Sequence, residues 1–218
     1  MLVAHDLLLL LIDDESGKVS FGMSEPDKAL AGAVLVDLAE RDLVGVADGR
    51  LAAKPGPTPP EPVLAQALAV VRERDGQKPK NVLGPLAKGL RDHLADDLVE
   101  AGILRRDEKK VLGLFPTTRL PTADASRETT LRAHLAAVLA GTAEPDGRTG
   151  ALIALLHAMD VVTRVIPADD KKAAKRRAKQ IAVGDWAAAA VRKAVQEVQS
   201  AVMVAVIAST GATTAGTT

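Results

Sequence analysis

The stretch that most constrains this fold lies at its beginning. Leu7-Leu8-Leu9-Leu10-Leu11-Ile12 is a run of six large aliphatics that breaks abruptly into Asp13-Asp14-Glu15-Ser16-Gly17-Lys18 and resumes at Val19-Ser20-Phe21. Shortly after comes Leu30-Ala31-Gly32-Ala33-Val34-Leu35-Val36-Asp37-Leu38-Ala39-Glu40-Arg41, which is nearly all apolar. A helix on a protein surface carries polar residues along its solvent side. Neither segment does, so both must be buried on most sides, at the centre of a helical core.

The remaining composition bounds the class. A chain of 218 residues can bury a substantial core as one large domain or two small ones. Lys+Arg 28 against Asp+Glu 28 leaves no net charge, so any anion binding must come from a local patch. Cysteine is absent, which excludes disulfides and thiolate metal sites. Residues 7–12 and 201–208 are the longest apolar runs, far short of the roughly 20 residues that span a bilayer. The leader has no basic segment and runs into acids, so no signal peptide is expected. With two Phe, one Trp and no Tyr, the core must be built from Leu, Val and Ala. A soluble, cytoplasmic, helical protein is the expectation.

Periodicity supplies the elements. Run 7–12 is too uniform to choose between helix and strand. Residues 13–18 read as a polar turn and 27–41 as a helix, with Leu30, Val34 and Leu38 at i+4 spacing. Asp48-Gly49 between short apolar runs signals a hairpin. Five prolines in residues 55–62 make an extended connection, and Pro62 opens a helix with Val63, Leu64, Ala67, Leu68 and Val71 on one face. Residues 72–80 read as a charged loop, and Pro85 as the start of a helix with Leu86, Leu90, Leu94 and Leu98 in one stripe, ending near Gly102. A second hairpin is expected over 103–115, with residues 105–110 as its turn. Asp124 or Ser126 would cap a helix ending at Gly141, Asp146 one that carries Leu152 to Val162 and ends by Pro167, and Asp169 or Asp170 a basic helix closed by Gly184. Asp185 would cap a last helix aligning Val191, Val195, Val198 and Val202. Residues 209–218, all Gly, Ala, Ser and Thr, form a disordered tail after a single domain over 1–208.

Few constellations suggest chemistry. His5, His93, His134 and His157 are scattered without metal-ligand spacing. His157 and Asp160, three apart on one helix, are close enough to hydrogen-bond, which is the ordinary setting of a structural histidine. Asp13-Asp14-Glu15 lacks the spacing of a calcium loop. No phosphate loop, nucleophile elbow or kinase signature is present, so no catalytic residue, metal or cofactor is expected. The sharpest charge feature is Lys171, Lys172, Lys175, Arg176, Arg177 and Lys179, six cations in nine residues with Ala173, Ala174 and Ala178 left as a packing stripe. Lys88 and Arg91, three apart on the expected helix beside Leu86, Leu90 and Leu94, could hold a phosphate. The helix-plus-hairpin unit at 35–44 is echoed at 93–104, as in a winged-helix domain.

Taken in order, the words Leu7-Leu8-Leu9-Leu10-Leu11, Asp14-Glu15-Ser16-Gly17, Ser20-Phe21, Leu30-Ala31-Gly32, Arg91-Asp92-His93-Leu94, Leu98-Val99-Glu100-Ala101-Gly102-Ile103-Leu104 and Leu152-Ile153-Ala154-Leu155-Leu156-His157-Ala158-Met159-Asp160-Val161 resemble the Golgi phosphoprotein 3 family, the GPP34 domain. The resemblance spans residues 2–208, and the Ala-rich composition fits a bacterial-type member. It implies a mainly α, compact single-domain helical bundle with small β-hairpins. Eukaryotic members bind phosphatidylinositol 4-phosphate peripherally at Golgi membranes and hold glycosyltransferase tails. Their headgroup pocket uses one Trp and three Arg, and the matching positions here are Gly22 for the Trp, Ala31 for one Arg, and Lys88 and Arg91 for the others. A charge-assisted contact contributes about 1.5–3 kcal/mol, so losing the aromatic and one Arg lowers the expected affinity by about two orders of magnitude.

The resemblance therefore implies a non-enzymatic, peripheral phospholipid-binding protein with an incomplete pocket, in which Lys88 and Arg91 meet the phosphate of an anionic headgroup at the inner membrane face. The 103–115 hairpin would touch membrane, protein tails or a second copy. Two other classes compete: a protein-interaction scaffold without lipid binding, and a winged-helix-like nucleic-acid binder using residues 171–179. Neutral overall charge disfavours the latter.

Overall fold

In the computed structural model, which describes residues 1–13, 17–19, 26–111, 115–183 and 200–208, the opening aliphatic run is helix α1 (Val3–Leu11), with all nine residues buried. The second apolar segment is α2 (Pro26–Glu40), buried from Ala29 to Ala39. The other helices are α3 (Pro62–Glu73), α4 (Pro79–Ala87), α5 (Leu90–Glu100), α6 (Ser126–Ala140), α7 (Gly147–Ala158), the single turn α8 (Val162–Val165) and α9 (Lys171–Val183); residues 200–208 are helical too. Strands β1 (Val44–Ala47) and β2 (Arg50–Ala53) form one antiparallel hairpin, β3 (Asp107–Val111) and β4 (Phe115–Arg119) another. The fold is mainly α, with its buried residues in one contiguous cluster.

α1 and α2 form the axis because they have no polar side to offer. α1 packs on α2, α5, α6 and α7, and α2 on α1, α3, α4, α5 and α7. Each leucine of α1 taken fully out of water contributes about 1.5–3 kcal/mol, so the two helices dominate the core. Residues 200–208 reach this axis at Gly32, where a Cβ would stand 2.3 Å from Val202 Cγ1 and 3.4 Å from Leu155 Cδ2. Gly32→Ala is expected to cost about 2 kcal/mol, since Val202 is too short and stiff to turn aside. Urea denaturation checks this, and a variant as stable as the parent would show that residues 200–208 do not pack there.

The echo between 35–44 and 93–104 is real at the level of backbone. α2 ends with Asp42 at φ 58° and bonds from Asp42 N to Ala39 O and from Leu43 N to Leu38 O; α5 ends with Gly102 at φ 71° and bonds from Gly102 N to Val99 O and from Ile103 N to Leu98 O. Both are left-handed Schellman closures that reverse the chain into a hairpin. The Asp48-Gly49 turn is as expected, with both φ values positive and Val46 paired to Leu51. Asp146 caps α7 through Thr149 N, and Asp170 caps α9 through Lys172 N and Ala173 N. Neither Asp124 nor Ser126 is the N-cap of α6: that place is taken by Ala125, which makes no side-chain cap bond, and Asp124 one residue earlier accepts from Ser126 N through Oδ1.

Four expectations are corrected. The charged loop over 72–80 shrinks to 74–78, because Pro79 starts α4 and Lys78 before it is extended. Pro85 sits inside α4 rather than opening a helix, and Gly89 at φ 73° separates α4 from α5. Leu86, Leu90, Leu94 and Leu98 are all buried but belong to two helices. The second hairpin lies four residues later than expected: residues 107–110 are strand, not turn, and Leu104 pairs with Thr122. Finally, α7 stops at Ala158, where Asp160 at φ 52° closes it and Val162 begins α8. Residues 112–114, the part of the helix expected after Asp185 up to residue 199, and the 209–218 tail lie outside the described residues.

Candidate functional site

The break between α4 and α5 decides the geometry of Lys88 and Arg91. Lys88 is the last, extended residue of α4's C-cap and Gly89 turns the chain, so the two cations do not share a helix face as the sequence suggested. Lys88 is exposed and makes no side-chain hydrogen bond or ion pair among the described residues. Arg91, in the first turn of α5, donates from Nε to Asp27 Oδ1 at 2.7 Å and from Nη2 to the same oxygen. Asp27 lies in the first turn of α2, one turn before Ala31, which is completely buried. The N-cap of α5 is Gly89, which has no side chain to offer, so among the described residues no N-cap side chain bonds the first-turn N–H groups. The cavity beside Lys88, walled by Val34, Val63, Ala67 and Leu90, holds only about 20 Å³. That is room for about one water and not for a headgroup, so any headgroup contact here is a surface contact. Gly22 lies outside the described residues.

A denser polar node joins α1, α6 and α7. Asp6 is only 2% exposed; its Oδ1 accepts from Arg127 Nε and Nη2 at 2.9 and 2.6 Å, and its Oδ2 from Arg148 Nε and Nη2 at 2.8 and 2.6 Å. Arg148 also donates to the Leu2 carbonyl at 2.6 Å. These side chains, with His134, Thr130 and Asp146, line a cleft of about 490 Å³. Nearby, Asp37 of α2 accepts from Val3 N at 2.8 Å and Ala4 N at 3.1 Å, closing the first turn of α1, which its own Leu2 cannot cap. Burial pushes the Asp37 carboxyl up to about 6, against the two N–H bonds and the charge of Arg148. His5 Nδ1 accepts from Leu2 N, so Nε2 carries the proton and donates to Asp97 Oδ2 at 3.0 Å. Burial lowers the His5 pKa more than Asp97 raises it, which keeps the ring neutral near pH 7.

The other candidates separate. His157 and Asp160 do not pair through their side chains: Asp160 Oδ1 accepts from Lys175 Nζ at 2.9 Å, and burial lowers the His157 pKa. On α9, Lys171, Lys172, Lys175, Arg176 and Lys179 are exposed, while Arg177 turns toward Glu144 at 3.7 Å. A groove of about 720 Å³ runs between Val46, Pro79 and the helical residues Ala201, Val204 and Ala208. No described helix is long and apolar enough to cross a membrane. Among the described residues no cluster of three or more His, Asp or Glu could hold a metal ion.

A family model for Golgi phosphoprotein 3 (GPP34) matches residues 3–198. The chain belongs to the GPP34 family. No curated protein sequence matches it. Within this GPP34 protein, the carboxylate of Asp27 holds the guanidinium of Arg91. Sequence reasoning missed Asp6, Asp37 and their partners. The available signal was an acid embedded in each apolar segment, at Ala4-His5-Asp6-Leu7 and Val36-Asp37-Leu38, because a carboxylate there must find buried donors.

Proposed function

We propose that this GPP34 protein is a non-enzymatic, peripheral binder of anionic phospholipid headgroups, meeting the phosphate through Lys88, Arg91 and the open first turn of α5. The observation that carries this reading is the juxtaposition at the α4–α5 break: an exposed lysine with no side-chain partner among the described residues, a guanidinium held by Asp27, and a helix start whose N-cap is a glycine with no side chain to cap it. Helix N-termini favour phosphate, and Arg offers it a planar pair of donors. Binding is weak, because Asp27 competes for Arg91 and the cavity beside Lys88 cannot enclose a headgroup.

Flotation with vesicles carrying single anionic headgroups in a neutral lipid background tests it. At about 1.5–3 kcal/mol for each charged contact, Lys88→Glu with Arg91→Glu is expected to weaken binding at least 100-fold. Asp27→Asn releases Arg91 and is expected to strengthen it. Unchanged flotation of the double variant would remove the site.

A further inference from the structure

We infer that the outer face of α9 is a second membrane-contact surface, one that reads the charge of an anionic bilayer rather than a particular headgroup. It is separate from the contact proposed at Lys88 and Arg91. Lys171, Lys172, Lys175, Arg176 and Lys179 are all exposed, and at about 100° per residue they fall within an arc of about 140° along a helix about 20 Å long. The flank beside Lys171 is committed to the core, with Ala174, Ala178, Ile181 and Ala182 buried where α9 packs on α6, α7 and α8. The cations therefore cannot turn inward.

Their partners do not balance them. Lys175 reaches Asp160, itself highly exposed, and Asp170 spends Oδ1 on the Lys172 and Ala173 N–H groups. Glu144 meets Arg177, at 3.7 Å. Lys171, Lys172, Arg176 and Lys179 make no side-chain hydrogen bond or ion pair among the described residues. α9 contains no acid at all, so Lys171–Lys175, Lys172–Arg176 and Lys175–Lys179 are like-charged i,i+4 neighbours, each unfavourable in water. A solvated helix relieves such repulsion with interspersed Glu or Asp. An anionic plane relieves it from outside. Exposed Arg164 on adjoining α8 adds to the same charge, and Val183, 62% exposed, falls within the same arc at the helix end. Because α9 lies flat along three other helices, its face suits a plane better than the groove of a duplex, which admits a protruding helix.

Each cation near an anionic surface contributes about fivefold in affinity. Lys171→Gln, Lys172→Gln, Arg176→Gln and Lys179→Gln together keep chain length and helix propensity. They are expected to weaken sedimentation with phosphatidylglycerol-containing vesicles by about 600-fold, both in the parent and in the Lys88→Glu, Arg91→Glu background, whose residual salt-dependent binding they remove. Binding by the parent should rise with the anionic fraction, fall with salt and depend little on which anionic lipid is used. Three results would overturn the inference. They are no sedimentation of the parent at low salt, equal sedimentation of the quadruple variant, or loss confined to the Lys88→Glu, Arg91→Glu protein. Binding of duplex DNA that is tighter than vesicle binding and is lost in the quadruple variant would assign the face to nucleic acid instead. Thermal unfolding of the quadruple variant close to that of the parent excludes misfolding as the cause.

Discussion

Replacing Asp6 with alanine is expected to lower the unfolding free energy by about 3–5 kcal/mol, the cost of removing one partner from a buried ion pair. The carboxylate is 2% exposed and takes Nε and Nη2 from both Arg127 and Arg148, so its loss strands two guanidinium edges at once. Each arginine keeps about a third of its side chain in solvent, 36% for Arg127 and 31% for Arg148, and water can reach part of each edge. The cost should therefore lie toward 3 kcal/mol. At roughly 2–4 °C per kcal/mol for a chain of this size, Tm falls by about 10 °C. Urea denaturation of the variant measures it, and a loss below about 1 kcal/mol would mean the node carries no net stability.

The penalty belongs to the unpaired partners, not to an intrinsic worth of the ion pairs. Asp6→Ala combined with Arg127→Met and Arg148→Met should recover most of the loss, because an apolar set in the same space removes the stranded charges. The node's consequence is positional. It fastens α1 to the starts of α6 and α7, and through Arg148 to the Leu2 carbonyl, across 121 to 146 residues of chain. Cutting it should loosen the walls of the cleft that holds His134 and Thr130 before it disturbs the α2 side of the core.

What could be read from the chain was local. The stripe of Val63, Leu64, Ala67, Leu68 and Val71, the Asp48-Gly49 turn, the Asp146 and Asp170 caps and the apolar axis all depend on neighbours within four residues, and each is found. The break at Gly89 escaped because Leu86, Leu90, Leu94 and Leu98 keep i+4 spacing across it. A left-handed glycine can preserve burial on one side of a chain while separating two helices. Pro79 carried the same first-turn signal as Pro62 and was hidden by the charges around it. Asp107 to Lys110 has no alternating apolar residues and so reads as a turn, whereas β3 is defined by its backbone pairing with β4. At the candidate site the residue types were legible and their pairing was not: Asp27 lies 64 positions from Arg91, a separation no periodicity encodes.

Asp37 should set the steepest pH dependence of stability in this protein. Its carboxyl is raised from 3.8 to about 6 by burial, even though Val3 N and Ala4 N bond to it. Between those two values the folded chain holds a proton that the unfolded chain has released, so the folded state binds more protons and stability falls as pH rises. About two pKa units correspond to about 3 kcal/mol, fully present below pH 3.8 and lost once pH exceeds 6. His5 and His157 act in the opposite sense, because burial lowers both and the folded state favours their neutral forms. The whole-protein profile therefore mixes signs, and the difference from Asp37→Asn isolates this group. Asparagine does not titrate and still offers one oxygen to the α1 amides. From pH 4 to pH 7 the parent is expected to lose about 3 kcal/mol relative to Asp37→Asn in urea denaturation. Parallel profiles would show that the buried carboxyl does not titrate in this range. A loss of that size on ionisation would also mean that the first turn of α1 is best capped by a neutral acid, and that the axis of the fold is tightest at mildly acidic pH.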